Sequence, residues 1–431
     1  MTRAAPRLAA LLAGRFAGDL PVRLRAWDGS EAGPQDAPVM VLRSRRALRR
    51  LLWQPGELGL AQAYIAGDLD VEGDLVDGLS RVWRSVRAHG PAPAAPGPRQ
   101  LARMARAALL LGALGPRPPA PGAPRARLRG ALHSTARDRA AISHHYDLSN
   151  DWYALLLDET MAYSCGYWKR PADPSYGPAD AQRDKLELVC RKLGLRPGAR
   201  LLDIGCGWGS LALYAAREHH AQVTAVTLSR EQHAFVTARV RELGLTERID
   251  VELRHYRHLT ADGHDAVSAI EMGEHVGEAE YPAFAARLHA LVRPGGRVLV
   301  QQMSRGATAP GGGAFIETYI APDMHMRPLG ETVGMLEAGG LEVRSVESLR
   351  EHYARTIAAW HHTLETRWPE FVALAGEPTA RVWRLYMAGA GLAFTEHRMG
   401  VDQILAVRTA PDGAAGLPGT PYDWYAEDIR T

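Results

Sequence analysis

Residues 201–209 read Leu-Leu-Asp-Ile-Gly-Cys-Gly-Trp-Gly. This is an apolar run that ends in an acid and breaks into a turn with glycine at every second position. Glycine adopts backbone angles that other residues avoid, and it lets a ligand come close to the main chain. Residues 210–216 follow with helical apolar spacing. Strand, glycine turn and helix are the geometry of a nucleotide-type site at the carboxyl end of a parallel strand. Gly205, Gly207 and Gly209 spell G-x-G-x-G, not the six-residue G-x-G-x-x-G of dinucleotide binders. A glycine triplet alone is a weak signal, so its neighbours must confirm it. Tyr163-Ser164-Cys165 lie upstream, and a carboxylate beside an imidazole, Glu274-His275, lies downstream at an expected strand end.

Such a site needs a sheet to position it. Helical spacing over 179–194 leads into the strand at 200–204. Residues 223–227, 266–270 and 297–302 read as further strands, with helices over 231–243 and 285–292. Strands alternating with helices predict an α/β domain built on a doubly wound, Rossmann-like sheet. Its ligand would lie outside the carboxyl ends of the strands. That gathers residues 203–209, 226–232, 254–257 and 270–277 around one crevice. Many such enzymes end the second strand in an acid that grips a ribose. Here Thr227-Leu228-Ser229-Arg230-Glu231-Gln232 has no acid at the strand tip. A hydroxyl, backbone groups or Gln232 must substitute, although Thr227 and Ser229 also suit helix capping.

The chain of 431 residues has room for two or three domains. Residues 1–90 form a smaller α+β unit, 91–135 a Pro/Ala/Gly-rich linker with a short helix, and 136–431 the catalytic domain. Residues 1–135 hold 20 arginines, no lysine and 10 acids, a net +10 against +3 for the whole chain. Such asymmetry suits an anionic surface. Arg43, Arg45, Arg46, Arg49 and Arg50 beside Leu48, Leu51, Leu52 and Trp53 resemble a basic amphipathic helix, which points to acidic phospholipid. A solvated arginine-rich surface is the plain alternative. The interleaved aromatic and basic pattern of a single-strand nucleic-acid binder is missing. Three scattered cysteines argue against a disulfide framework or zinc site and for a reducing compartment. His144-His145 has no partners at metal-ligand spacing. No run approaches the roughly 20 apolar residues of a membrane span.

Five motifs now fall in order. His145-Tyr146-Asp147-Leu148-Ser149-Asn150 is followed by Ala162-Tyr163-Ser164-Cys165, the glycine run, Val226-Thr227-Leu228-Ser229 through Gln232, and Glu274-His275-Val276-Gly277. The combination resembles the cyclopropane fatty acid synthase and mycolic acid cyclopropane synthase family of S-adenosylmethionine (SAM) methyltransferases. The likeness covers residues 136–407 and extends loosely into the first domain. It implies a class I SAM methyltransferase fold that binds SAM through Tyr163, Ser164, Asp203, Gly205, Gly207, Gly209, Thr227, Leu228, Gln232 and Tyr256.

The resemblance also implies methylation of a cis double bond in a phospholipid acyl chain, through a carbocation that loses a proton. The expected product is a cyclopropane. A methyl or methylene branch is the close rival. More distant rivals are methylation of a soluble small molecule and a non-catalytic lipid-binding homologue. In the family a bound bicarbonate serves as base, which carries over to Cys165, Glu274 and Tyr353 with backbone help from Ile270. The family's histidine on the next strand is replaced by Gln301, an amide that donates without charge. The implied protein is cytoplasmic and peripheral to the inner membrane face, with homodimerisation left open.

Overall fold

In the computed structural model, residues 3–13, 16, 19–88, 98–126, 128–146, 148–306 and 311–425 are described. The chain forms two compact units, Met1–Arg125 with Leu364–Leu392, and Ala126–Thr363 with Ala393–Thr431. Leu364–Leu392 therefore belongs with the N-terminal unit, although it falls inside the span expected to be catalytic. The expected linker contains the helix Pro98–Leu110, and part of it, 91–97, lies outside the described residues.

The first unit carries a small mixed sheet of β1 (Arg23–Arg25), β2 (Glu31–Ala32), β3 (Val39–Leu42) and β4 (Leu69–Glu72), in the order β2-β1-β3-β4. Leu24, Leu42 and Leu69 pack with Tyr64 and Ala388 into its core. Ser44 caps the helix Arg45–Trp53 by accepting the Arg46 N–H at 3.2 Å. Not all the arginines face water. Arg50 is 5% exposed and pairs with Asp68 at 2.9 Å, and Arg381 pairs with Asp70 at 3.1 Å. Part of the basic excess is thus neutralised internally.

The second unit is built on seven strands: β5 (Arg200–Ile204), β6 (Gln222–Thr227), β7 (Ile249–Leu253), β8 (His264–Ile270), β9 (Val292–Ser304), β10 (Glu342–Ser348) and β11 (Gly400–Val407). Their order is β10-β11-β9-β8-β5-β6-β7. β5 through β9 run parallel, while β11 lies antiparallel between β9 and β10. β5 is buried along its length except for Arg200, as a central strand covered on both faces must be. Helices Pro178–Leu193, Ser210–Glu218 and Arg230–Glu242 fill one face, and Tyr281–Leu291 and Leu329–Ala338 the other. The strand order reverses at β5, which has β6 on one side and β8 on the other. A ligand crevice opens at such a point. Among the described residues, no helix is long and apolar enough to cross a membrane.

Candidate active site

A cavity open to solvent at its mouth lies at this reversal. Tyr163, Ser164, Asp203, Gly205, Gly207, Thr227, Leu228, Gln232, Tyr256 and Ile270 all line it. Gly205 has φ +80°, and a Cβ there would come within 3.0 Å of Met272. Gly209 is off the wall. It has φ +83°, starts the helix Ser210–Glu218, and leaves no room for a Cβ, which would meet Val236 at 2.9 Å. Thr227 Oγ1 donates to Gln232 Oε1 at 2.7 Å, while Gln232 Nε2 is buried without a hydrogen-bond partner. An unused buried donor costs about 1–3 kcal/mol, so Gln232 suits a ligand that brings acceptor oxygens, such as a ribose. Ser229 caps the helix Arg230–Glu242. The strand tip therefore both starts a helix and offers a ligand contact.

The hydrogen-bonding centre of the site is a carboxylate that the motifs did not single out. Glu271 directly follows Ile270 at the end of β8, with φ +51°. A side chain in that left-handed region costs about 1–2 kcal/mol. Four hydrogen bonds hold it there. Its N–H donates to Gln301 O at 2.6 Å. Its Oε1 accepts from the Cys165 N–H at 2.8 Å and from Gln301 Nε2 at 2.9 Å, and its Oε2 accepts from the Tyr353 hydroxyl at 2.6 Å. Cys165, Gln301 and Tyr353 thus converge as a group on Glu271, which itself lines the cavity. Cys165 takes part through its backbone. Its thiol donates to the Gly166 and Leu349 carbonyls, and burial pushes its pKa up.

Glu274 is not in this cluster. It is 1% exposed, its Oε1 accepts from the Met303 N–H at 2.5 Å, and it is absent from the cavity wall. Burial, and then the Glu271 charge, push it up to about 8. Burial also raises Glu271, opposed by the donors from Cys165, Tyr353 and Gln301 and by the Lys185 charge. Lys185 is a further residue that the motifs missed. It is 2% exposed on the helix Pro178–Leu193 and donates to Ser164 Oγ at 2.9 Å. Burial pulls its pKa down, while Glu271 and Asp158 push back. Burial raises Asp203 to about 6, against the Ser268 hydroxyl that donates to it at 2.8 Å.

Aromatic rings gather around these groups. Tyr163 lies 5.2 Å from Trp360, and Tyr353 lies 4.7 Å from Phe394, ring centre to ring centre. The side chains of His144 and His145 lie outside the described residues. Among those described, no cluster of His, Cys, Asp or Glu could hold a metal ion.

A glycine-turn crevice at the switch point of this seven-stranded sheet, with a hydrogen-bonded carboxylate on its wall, defines a class I SAM-dependent methyltransferase. A family model described as mycolic acid cyclopropane synthetase matches residues 133–404. The chain belongs to that family, whose members methylate lipids. It is 36% identical over 418 residues to a "Probable fatty acid methyltransferase" of Pseudomonas putida, covering 94% of this chain and 96% of the other. It is 32% identical to the cyclopropane-fatty-acyl-phospholipid synthase of Escherichia coli, over 67% of this chain and 74% of the other. A crystal structure of the mycolic acid cyclopropane synthase CmaA1, complexed with SAH and CTAB, superposes with a TM-score of 0.58 at 29% identity. It covers 62% of this chain and 97% of that one.

Proposed function

We propose that this enzyme transfers the SAM methyl group to a double-bond carbon of an unsaturated fatty acyl chain, and that Glu271 removes the proton that ends the reaction. The observation that carries this is the partly buried Glu271 carboxylate, held by the Cys165 N–H, the Gln301 amide and the Tyr353 hydroxyl and lining the cofactor cavity. Bound in the crevice, SAM supplies an electrophilic methyl. The alkene π pair forms the new C–C bond and leaves a positive charge on the neighbouring chain carbon. Glu271 then takes a proton from the added carbon. If the freed C–H pair closes on the cationic carbon, a cyclopropane results. If a hydride first shifts from the methylated carbon to the cationic one, the same pair forms a C=CH₂ double bond, a methylene branch. The relative matching 94% of this chain is named for methylation, and the one named for ring formation covers 67%. We therefore favour the branch, with the ring as second reading supported by the family description.

The donors that would hold a bicarbonate already engage Glu271, so the base is built into the chain. The test is labelled SAM with mono-unsaturated phospholipid, in ordinary and bicarbonate-depleted buffer. Fragmentation and proton NMR separate ring from branch, which have equal mass. Acyl chains one CH₂ heavier, formed equally in both buffers, are expected. A strict need for added bicarbonate would overturn the role of Glu271.

A phospholipid substrate must be reached in a bilayer, and we assign that task to the N-terminal unit, on the inner face of an anionic membrane. Leu52 and Trp53 are 46% and 53% exposed, and Leu109, Leu110 and Leu114 are each more than half exposed. The Trp53 indole donates to Gly115 O at 3.0 Å and Arg49 to Ala113 O at 3.3 Å, which joins the two stretches into one patch. Arg43 and Arg46, both 58% exposed, pair with Asp70 and Asp68, while the exposed Arg45 lies on the same helix Arg45–Trp53. A basic residue there would contribute about 1 kcal/mol near an anionic leaflet.

A further inference from the structure

Gln301 is one end of a buried chain of side chains. Lys192 Nζ donates to Gln403 Oε1 at 2.8 Å, Gln403 Nε2 donates to Gln301 Oε1 at 2.9 Å, and Gln301 Nε2 donates to Glu271 Oε1 at 2.9 Å. Lys192, Gln403 and Gln301 are each at most 1% exposed. The β9–β11 register sets Gln403 directly opposite Gln301. Lys192 comes from the helix Pro178–Leu193. It is itself anchored by Glu347, and the Tyr425 ring lies 5.9 Å from its ammonium.

The direction of this chain follows from elementary chemistry. An ammonium donates and never accepts. Gln403 must therefore turn its oxygen to Lys192 and its NH₂ to Gln301. Gln301 must then turn its own oxygen to Gln403 and its NH₂ to Glu271. Flipping either amide would set donor against donor or acceptor against acceptor at about 3 Å, with no water to relieve it. Lys192 thus dictates the orientation of an amide two residues away in the chain of contacts.

We propose that Lys192 and Gln403 are positioning residues that lock the Gln301 amide toward Glu271 and thereby set how readily that carboxylate takes a proton. This rests on Glu271 being the base. The groups facing Glu271 are Cys165, Tyr353 and Gln301 by hydrogen bonds, and Lys185 and Glu274 by charge. Lys192, Gln403 and Gln301 are all off the wall of the cofactor cavity. SAM affinity and turnover should therefore separate.

The experiment measures kcat against pH and SAM affinity for Lys192→Met, Gln403→Leu and Lys192→Arg, beside Glu271→Gln. Lys192→Met and Gln403→Leu should move the acidic limb of the profile up by about one pH unit, losing about tenfold in kcat on that side. SAM affinity should stay at the wild-type value. Lys192→Arg, still a pure donor, should restore the limb. Wild-type limbs in both apolar variants, with Glu271→Gln inactive, would overturn the relay alone. Full activity of Glu271→Gln would instead remove the base on which the relay acts. If the apolar variants do not fold, the wild-type side-chain amide ¹⁵N resonances decide. Those of Gln301 should shift as Glu271 titrates, and their indifference to pH would overturn the proposal.

Discussion

Glu271→Gln tests the chemistry most directly, because the structure accommodates the amide. The new side chain can keep its oxygen toward the Cys165 N–H and Gln301 Nε2, the two donors that Oε1 now accepts. Its NH₂ then falls where Oε2 accepts the Tyr353 hydroxyl, and that hydroxyl can turn round and accept. The left-handed backbone at position 271 is no worse for Gln than for Glu. Folding should therefore change by no more than about 1 kcal/mol. Turnover should not survive so well. A positioned general base contributes about 10²–10⁴-fold, which is about 3–5 kcal/mol of barrier. The assay is initial-rate transfer from labelled SAM to mono-unsaturated phospholipid, with SAM affinity measured separately by calorimetry. A hundredfold or greater loss of kcat with SAM still bound is the expected result, in line with that range. Glu274→Gln is the control. Its carboxyl is held up to about 8, so it is largely protonated near neutral pH, and an amide oxygen can still accept from Met303. Its loss should stay below about tenfold. Near wild-type turnover in Glu271→Gln, or equal losses in the two variants, would refute the assignment of the base.

Three other expectations follow from the same geometry. Gly205→Ala places a Cβ at 3.0 Å from Met272 at φ +80°, so strain of about 1–2 kcal/mol should weaken SAM binding roughly tenfold by calorimetry; unchanged affinity would show that the turn does not shape the cofactor site. Burial lowers His275 to about 4 from its ordinary 6.5. Its neutral form thus contributes stability that is complete above 6.5 and drains away as pH falls through about 4, where the folded state finally takes up the proton. Melting temperature should therefore drop over that interval more steeply in the wild type than in His275→Gln, and parallel curves would contradict the sign. Trp53→Ser combined with Leu110→Ser should weaken sedimentation with anionic vesicles about tenfold or more; equal binding of the wild type to anionic and zwitterionic vesicles would remove the proposed electrostatic docking.

Four of the seven strands were legible because their signals are local, while β7, β10 and β11 went unread. Leu201–Ile204 must be buried on both faces, the G-x-G-x-G turn must leave the strand, and alternating strands and helices leave few topologies. The crevice followed from where strands end, and nine of the ten residues expected to bind cofactor line the cavity there, while Gly209 starts the adjoining helix. Two further features were not legible. The return of Leu364–Leu392 to the N-terminal unit depends on contacts far apart in sequence, such as Arg381 with Asp70. The glutamate at the centre was obscured by a second glutamate three residues on, within the Glu274-His275 motif. The signal that could have found it was position: Glu271 stands at the carboxyl tip of β8, where a sheet of this kind presents its ligand contacts.

Gln301 looked from the sequence like a loss, a neutral amide where the resemblance called for a histidine. Beside a carboxylate that belongs to the chain, the amide has the better chemistry. A bound bicarbonate is a free anion and needs positive charge or strong donors to stay in place. Glu271 is covalently tethered and already accepts from Cys165 and Tyr353. A protonated imidazole at position 301 would pair with it, pull its pKa down and weaken it as a base. A buried amide gives one oriented hydrogen bond without that penalty, leaving the carboxylate basic enough to take a proton from carbon. The substitution at 301 and the glutamate at 271 are therefore two halves of one arrangement. Gln301→His should then lower turnover through a less basic Glu271, shifting the acidic limb of the rate profile down rather than up. An upward shift, or higher kcat, would show that the site still works as one built to hold a free anion.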